Sequence, residues 1–172
     1  MRIHQFNLQF NPEEDRVLFR LNTVSGESFR FFLTRRFVKL LWSVLGKLLR
    51  ADFERRQPEQ ARHSADILAF EQAKTLQNAD FSQSYQEPAV ETRFPLGEEP
   101  ILLSRIQVKQ TDVAPVLCLS PTRGQGIEIP AHFRFLHTFR KMIRDVVTRA
   151  EWDLSLDEGY EFVSPNDSPT VH

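Results

Sequence analysis

The sequence predicts an α+β protein built from an internally duplicated unit of about three to four antiparallel strands followed by an amphipathic helix, with an extra helix in the middle. Short segments alternate apolar and polar residues, as half-buried strands do. Each set of such segments precedes apolar residues at helical spacing. Corresponding positions of the two sets, such as Ile3 and Ile101 or Phe31 and Ile129, lie 98 residues apart.

The first unit begins with three predicted strands. Apolar side chains alternate with amides from Ile3 to Phe10, and a turn at Asn11 to Asp15 leads to a second alternating segment, Arg16 to Thr23. A Ser-Gly turn then closes a hairpin onto a third strand at 28–33. The alternation assigns these side chains to the inner face: Phe6, Leu8, Phe10, Val17, Phe19, Leu21, Phe29, Phe31 and Leu33.

A helix is predicted directly after the third strand. Thr34 suits its N-cap, because a threonine hydroxyl can accept a hydrogen bond from a free amide of the first turn. The apolar stripe that should lie on the sheet comprises Phe37, Leu40, Leu41, Val44, Leu45 and Leu48. The apolar stretch is shorter than the roughly 20 residues that cross a bilayer, so we expect no membrane contact.

The middle of the chain has a different character. Pro58 suits the first turn of another helix, which a thin apolar stripe predicts from Glu59 to Ala79. We expect that helix to be mostly exposed and to pack on a partner protein or on a second copy of the chain. Residues 80–100 are rich in Ser, Gln, Glu and Pro, which indicates a linker or a long ordered loop.

The second unit repeats the order of the first. Strands are predicted at Ile101 to Lys109, with Leu102, Ile106 and Val108 inward, and at 116–119 and 127–129. Between the last two lies a turn, Thr122 to Gly126, whose two glycines can both take positive φ. Pro130 is expected at the start of a helix with this apolar stripe: Phe133, Leu136, Phe139, Ile143, Val146 and Ala150.

These divisions predict four segments. The two units span 1–56 and 101–153, the helix and linker span 57–100, and 154–172 is expected to be a mobile acidic tail. The formal net charge of −1 means that any basic surface must be local. A single cysteine and a polar N-terminal stretch without the apolar run of a signal peptide favour the cytoplasm.

Common catalytic and metal-binding motifs do not occur in the sequence. It contains no G-x-S-x-G, P-loop or G-x-G-x-x-G motif. His132 and His137 are five residues apart, too far around a helix to act as a ligand pair, so we expect hydrogen-bonded histidines beside the core. Cys118 has no basic neighbour in sequence and is expected to be structural. The sequence favours a non-catalytic protein without metal or cofactor, and leaves open an enzyme with dispersed catalytic residues.

The sheet face opposite the helices is the candidate binding surface. In the first unit it carries Gln5, Asn7, Gln9, Arg20, Asn22, Arg30 and Phe32, and in the second Arg105, Gln107 and Lys109, with Glu128 against them. Cations that meet phosphates, and an aromatic ring that stacks on a base, are what single-stranded nucleic acid requires. The nucleic-acid hypothesis rests on Arg20, Arg30, Phe32, Arg105, Gln107 and Lys109. The alternative is an ordinary solvated sheet face.

One segment carries a family resemblance. The thirteen residues from Gly124 to Leu136, GQGIEIPAHFRFL, resemble the last turn, strand and helix start of the positive-cofactor-four type of transcriptional coactivators. The resemblance to that family and to the related Whirly proteins implies single-stranded DNA binding across curved antiparallel sheets, in dimers or internal duplications. This chain departs from the coactivators in its long middle helix, its near-neutral charge and its lack of a lysine-rich strand.

Two functions therefore compete at the level of sequence. One is binding of single-stranded DNA or RNA through the open sheet face. The other is a protein-interaction or assembly module, such as a homodimer, that uses the middle helix and the open sheet edges without binding nucleic acid.

Overall fold

The structure is a computed structural model that describes residues 1–56, 67, 70–71, 73–74, 85–86 and 92–156. This part of the chain forms a four-stranded sheet, a three-stranded sheet and two continuous helices. The α+β class predicted from the sequence is thereby confirmed. No helix in the described part of the chain has both the length and the apolarity needed to cross a membrane.

The first sheet has the strand order β1-β2-β3-β4. Strands β1 (Ile3–Asn11), β2 (Arg16–Thr23) and β3 (Ser28–Leu33) are antiparallel neighbours. The two-residue strand β4 (Ile101–Leu102) pairs parallel to β3 and comes from the second half of the chain. β1 and β4 are therefore the edge strands of this sheet.

The second sheet has the antiparallel order β5-β6-β7, with β5 at Arg105–Lys109, β6 at Val116–Ser120 and β7 at Ile127–Pro130. The prediction of one strand from 101 to 109 is wrong, because the chain leaves the first sheet after Leu102 and enters the second at Arg105.

The inward assignment of two residues on this divided strand is also wrong. Leu102 is 42% exposed and Val108 is 36% exposed, and both lie on edge strands of their sheets. Leu102 pairs with Phe32, which the alternation places on the sheet side away from the helix, so Leu102 lies on that side too. Val108 lies on an edge strand, which has a neighbour on one side only, so its side chain is covered less completely.

The two helices are α1 (Arg35–Arg56) and α2 (Phe133–Arg149). The predicted cap is confirmed, because the Phe37 amide donates to the Thr34 hydroxyl at 3.2 Å. The prediction for Pro130 is wrong, since Pro130 ends β7 and His132 is the residue before α2.

The buried side of α1 is wider than the predicted stripe and is rotated from it. Leu40 was expected inward but is 52% exposed, and Val44 is only half-buried. Trp42 is buried although the stripe omits it, and Leu49 and Phe53 are buried because α1 continues two turns beyond Leu48.

The halves of the chain share one core. The ring of Phe139 in α2 lies 5.8 Å from that of Phe6 and 5.1 Å from that of Phe19, both in the first sheet. Phe135, one turn earlier, lies 5.2 Å from Phe6. The helix of the second unit therefore covers the sheet of the first. The two units have the same order of elements, three antiparallel strands followed by a helix.

The two helices lie side by side and antiparallel. Arg56 at the end of α1 stacks over Phe133 at the start of α2, at 4.4 Å. Further along, Arg140 of α2 stacks over Trp42 of α1 at 3.9 Å. Gly46 makes room for this contact, because a Cβ there would stand 3.1 Å from Nη1 of Arg140.

The remaining predicted segments fall largely outside the described residues. Of the helix expected from Glu59 to Ala79, five described residues are helical: Ile67, Phe70, Glu71, Ala73 and Lys74. Glu71 accepts two hydrogen bonds from Arg56, at 3.1 and 3.3 Å. In the predicted tail, Leu154 and Leu156 are half-buried against the core, and 157–172 lie outside the description.

Candidate nucleic-acid interface

The outer face of the first sheet is the side opposite the shared core. Three polar side chains form a row at its centre, because Asn7 pairs with Arg20 across β1 and β2, and Arg20 pairs with Arg30 across β2 and β3. The strand register therefore brings Arg20 and Arg30 together as the alternation predicts. Arg20 also donates to the Gln9 side chain at 3.0 Å, which holds its guanidinium over the strand.

The adjacent row carries the predicted aromatic residue. Phe32 pairs with Leu18 on one side and with Leu102 on the other. The guanidinium carbon of Arg16 lies 5.7 Å from the centre of the Phe32 ring, and Arg16 forms an ion pair with Glu14 at 3.1 Å. Phe32 is only half-buried, so part of its ring faces solvent.

Tyr85 is bound to this face by its ring and by its hydroxyl. The ring lies 4.3 Å from the guanidinium carbon of Arg20. The Asn22 side-chain amide nitrogen donates to the Tyr85 hydroxyl at 3.0 Å. The Tyr85 hydroxyl in turn donates to the Asn22 amide oxygen at 3.3 Å. Next to it, the Gln5 amide donates to the Gln86 carbonyl at 2.6 Å. Residues 85–86 therefore lie across the outer face.

A second aromatic ring is bound in the same way. Phe94 lies 4.8 Å from the guanidinium carbon of Arg30, which also donates to the Glu98 carbonyl at 3.3 Å. Backbone hydrogen bonds join Arg93 to Gly26 at 3.0 Å and to Ser28 at 2.8 Å. The sequence left two choices for residues 80–100, a linker or a long ordered loop. In the described part of this segment the structure shows the ordered loop.

Three arginine–aromatic pairs consequently share one sheet face: Arg16 with Phe32, Arg20 with Tyr85, and Arg30 with Phe94. We call this surface the arginine–aromatic face. Arginine remains charged at any pH that the folded protein experiences, and its planar group stacks on aromatic rings. The face therefore offers permanent positive charge beside flat apolar rings, with the amides of β1 at its border.

The other predicted residues lie on a different sheet. Arg105, Gln107 and Lys109 are exposed and alternate along β5, so they share one side of that strand. Lys109 is hydrogen-bonded to Glu128, which raises the pKa of Lys109 and offsets its charge. The structure does not place these three residues in the same sheet as Arg20, Arg30 and Phe32.

Cys118 and His137 are two further titratable residues, and the pKa of each is shifted by burial. Burial, followed by the nearby carboxylate of Glu128, raises the pKa of the Cys118 thiol, which opposes formation of a thiolate nucleophile. The expectation of a hydrogen-bonded His137 is wrong, because the ring is fully buried and neither nitrogen has a partner among the described residues. Within that part of the chain no three His, Cys, Asp or Glu side chains converge as metal ligands.

Three members of the face are not predicted from the sequence: Arg16, Tyr85 and Phe94. Tyr85 and Phe94 are two of the three aromatic residues in the mainly polar segment 80–100, and that contrast was the available signal. Comparison with protein families, with curated proteins and with solved structures finds no match to this chain. The resemblance carried by 124–136 stays a prediction, and any function must be argued from the geometry of the face.

Proposed function

We propose that this chain is a non-catalytic protein that binds single-stranded DNA or RNA on the arginine–aromatic face. The observation that carries the proposal is the presence of three arginine–aromatic pairs on one sheet face. Proteins that hold single strands without sequence preference combine a positively charged track with aromatic rings on which bases stack. Both components are present here within a few strands.

The arrangement of each pair suits a base. Arg20 and Arg30 project from the sheet, so their guanidinium groups lie on the sheet side of Tyr85 and Phe94. Tyr85 and Phe94 are both only half-buried, so part of each side chain is accessible to a base. A base stacked there would gain roughly 1–3 kcal/mol. The arginine beneath the ring adds attraction for the phosphates.

The predicted residues are expected to contribute unequally to nucleic-acid binding. Arg20, Arg30 and Phe32 belong to the face itself, with Arg16, Tyr85 and Phe94 added to them. Arg105 and Gln107 offer a second, smaller patch on the other sheet, and Lys109 contributes least because Glu128 offsets its charge. A cytoplasmic location belongs to the same proposal, since a lone cysteine suits a reducing compartment.

Fluorescence anisotropy with a labelled mixed-sequence oligonucleotide tests the proposal. We expect micromolar or tighter binding at low salt. Affinity should fall about 20-fold between 50 and 200 mM salt if three phosphates are neutralised. The double variant Arg20→Ala, Arg30→Ala should bind about tenfold more weakly, because it removes two cations and the support of two rings.

The matched control is Arg36→Ala, Arg123→Ala, which removes two exposed arginines that lie off the face. It should bind the oligonucleotide nearly as well as the parent does, and both doubles should keep the parent's circular dichroism. If the parent does not bind at low salt, the proposed function is wrong. Equal loss in both doubles would show a general charge effect and would contradict the assigned site.

A further inference from the structure

A groove of about 1130 Å³ lies between the first sheet and α2. One wall is β1 with the two residues before it, from Met1 to Leu8, and the other is the side of α2 that carries Arg134, Thr138, Lys141, Asp145 and Arg149. Tyr85 stands at its border. The groove is therefore next to the arginine–aromatic face but is a separate surface.

The strand that forms the first wall is an edge strand. β1 pairs with β2 on one side, and no strand in the described part of the chain pairs with its other side. In an antiparallel strand, alternate residues direct their backbone N–H and C=O groups away from the partner. Such an edge is a template for adding another strand.

The second wall is basic. Arg134 and Arg149 are exposed along one side of α2, and Lys141 lies between them in sequence. The carboxylate of Asp145 is the partner of Lys141, at 2.5 Å. Arg2 adds a further cation from the β1 side. Among the described residues that line the groove, cations thus outnumber carboxylates.

We propose that this groove binds an extended acidic segment of a partner protein, which adds to the β1 edge as a further strand. The side of β1 that pairs with no described strand supplies backbone donors and acceptors in alternation, which a peptide backbone matches. The basic wall favours carboxylates on the side chains that point toward α2. The alternation of a strand then requires an acidic residue at every second position of the segment, with its other side chains directed to the opposite face.

Charge also argues against a second copy of this chain in the groove. Pairing of two β1 edges would bring two basic α2 walls toward each other, and like charges held close together oppose association. A single-stranded nucleic acid would satisfy the cations but would leave the alternating backbone groups of β1 without a matching partner. The acidic peptide satisfies both walls.

The test uses the full chain and labelled peptides of roughly eight residues, about the length of a natural strand. The probe carries glutamate at alternate positions with valine between them. One control peptide replaces each glutamate by lysine, and another replaces the central valine by proline, which removes a strand hydrogen bond. We expect micromolar binding of the glutamate peptide and at least tenfold weaker binding of both controls.

Variants of the chain locate the site. Arg134→Glu, Arg149→Glu should weaken binding of the glutamate peptide at least tenfold. Arg36→Glu, Arg123→Glu makes the same change in charge elsewhere and should leave it within about twofold. Thermal unfolding of each variant checks that the fold is retained.

Three outcomes would overturn the proposal. One is equal binding of the glutamate and proline peptides, which would exclude strand addition. Another is unchanged binding by Arg134→Glu, Arg149→Glu. The third is a parent chain that binds no peptide. If those substitutions reduced oligonucleotide binding while the parent bound no peptide, the groove would belong to nucleic acid and the peptide proposal would be wrong.

Discussion

At the scale of single residues, arginine side chains in this protein are repeatedly placed against aromatic rings. On the outer face of the first sheet the rings are only half-buried, as at Tyr85, which lies 4.3 Å from the guanidinium carbon of Arg20. Between the helices the same contact is internal, because Arg140 is only 5% exposed where it stacks on Trp42. One type of contact therefore packs the helices together in one place and, in the function that we propose, serves binding in the other.

His137 is a buried residue whose protonation should lower the stability of the fold. Burial, followed by the positive charges of Arg140 and Arg56, lowers its pKa from 6.5 to about 4, and Asp52 opposes this only in part. Between these values the unfolded chain takes up a proton that the folded chain does not. Stability should therefore be complete above about pH 6.5 and should fall as the pH drops toward 4.

The substitution His137→Phe should remove that pH dependence, because the new ring cannot take up a proton. Urea unfolding at pH 7.5 and at pH 5 should show a loss of about 2 kcal/mol in the parent and little loss in the variant. His132→Phe, at an exposed position before α2, is the control and should retain the parent's dependence. A parent with equal stability at both pH values would contradict this account of His137.

At the scale of elements, the connection between β6 and β7 depends on a close approach of backbones. Both glycines of this turn can take positive φ, but only Gly124 does, at 99°. Gly126 is needed for space, since a Cβ there would stand 2.0 Å from the Leu119 carbonyl oxygen and 2.6 Å from the Cα of Ser120. Neither backbone atom can move without disturbing β6.

Gly126→Ala should therefore destabilise the protein strongly, by roughly 3 kcal/mol or more, because the overlap is with backbone rather than with a flexible side chain. Thermal or urea unfolding measures the loss. Gln125→Ala, at the exposed position beside it, should have little effect. A variant Gly126→Ala as stable as the parent would mean that the turn does not hold the two backbones this close.

Alternation and helical spacing predicted much of the interior but little of the surface chemistry. Phe19, Phe31 and Leu33 were assigned inward and are fully buried, since a two-residue period determines which side of a strand each side chain takes. The stacking of Tyr85 on Arg20 joins positions far apart in sequence, and no local period reports such a contact. The division of the strand at 101–109 was missed for the same reason, because its two parts follow different sheets.

At the scale of the whole molecule, the two units share one hydrophobic core. Phe139 of the second unit packs on Phe6 and Phe19 of the first, so each half exposes aromatic surface if the other is removed. Trp152 makes a second contact between the two halves of the chain, because its indole N–H donates to the Asp15 carboxylate at 2.7 Å. The shared core fixes which sheet face is left outside and therefore where ligands can reach.

A fragment of residues 101–156 should not fold cooperatively by itself, because α2 would lose the sheet against which Phe139 packs. Circular dichroism during heating should show no sharp transition. Mixing with a fragment of residues 1–100 should restore one if the halves reassociate. A cooperative transition in the isolated second half would show two independent domains and would contradict the shared core.

The central claim is that single-stranded nucleic acid binds on the arginine–aromatic face, and photo-crosslinking tests it most directly. A 4-thiothymidine-substituted oligonucleotide is irradiated with the full chain, and the crosslinked residues are found by mass spectrometry. The account predicts crosslinks at Phe32, Tyr85 and Phe94, which salt suppresses. Crosslinks confined to β5 or to the α2 side of the groove, or no crosslinking at low salt, would contradict it.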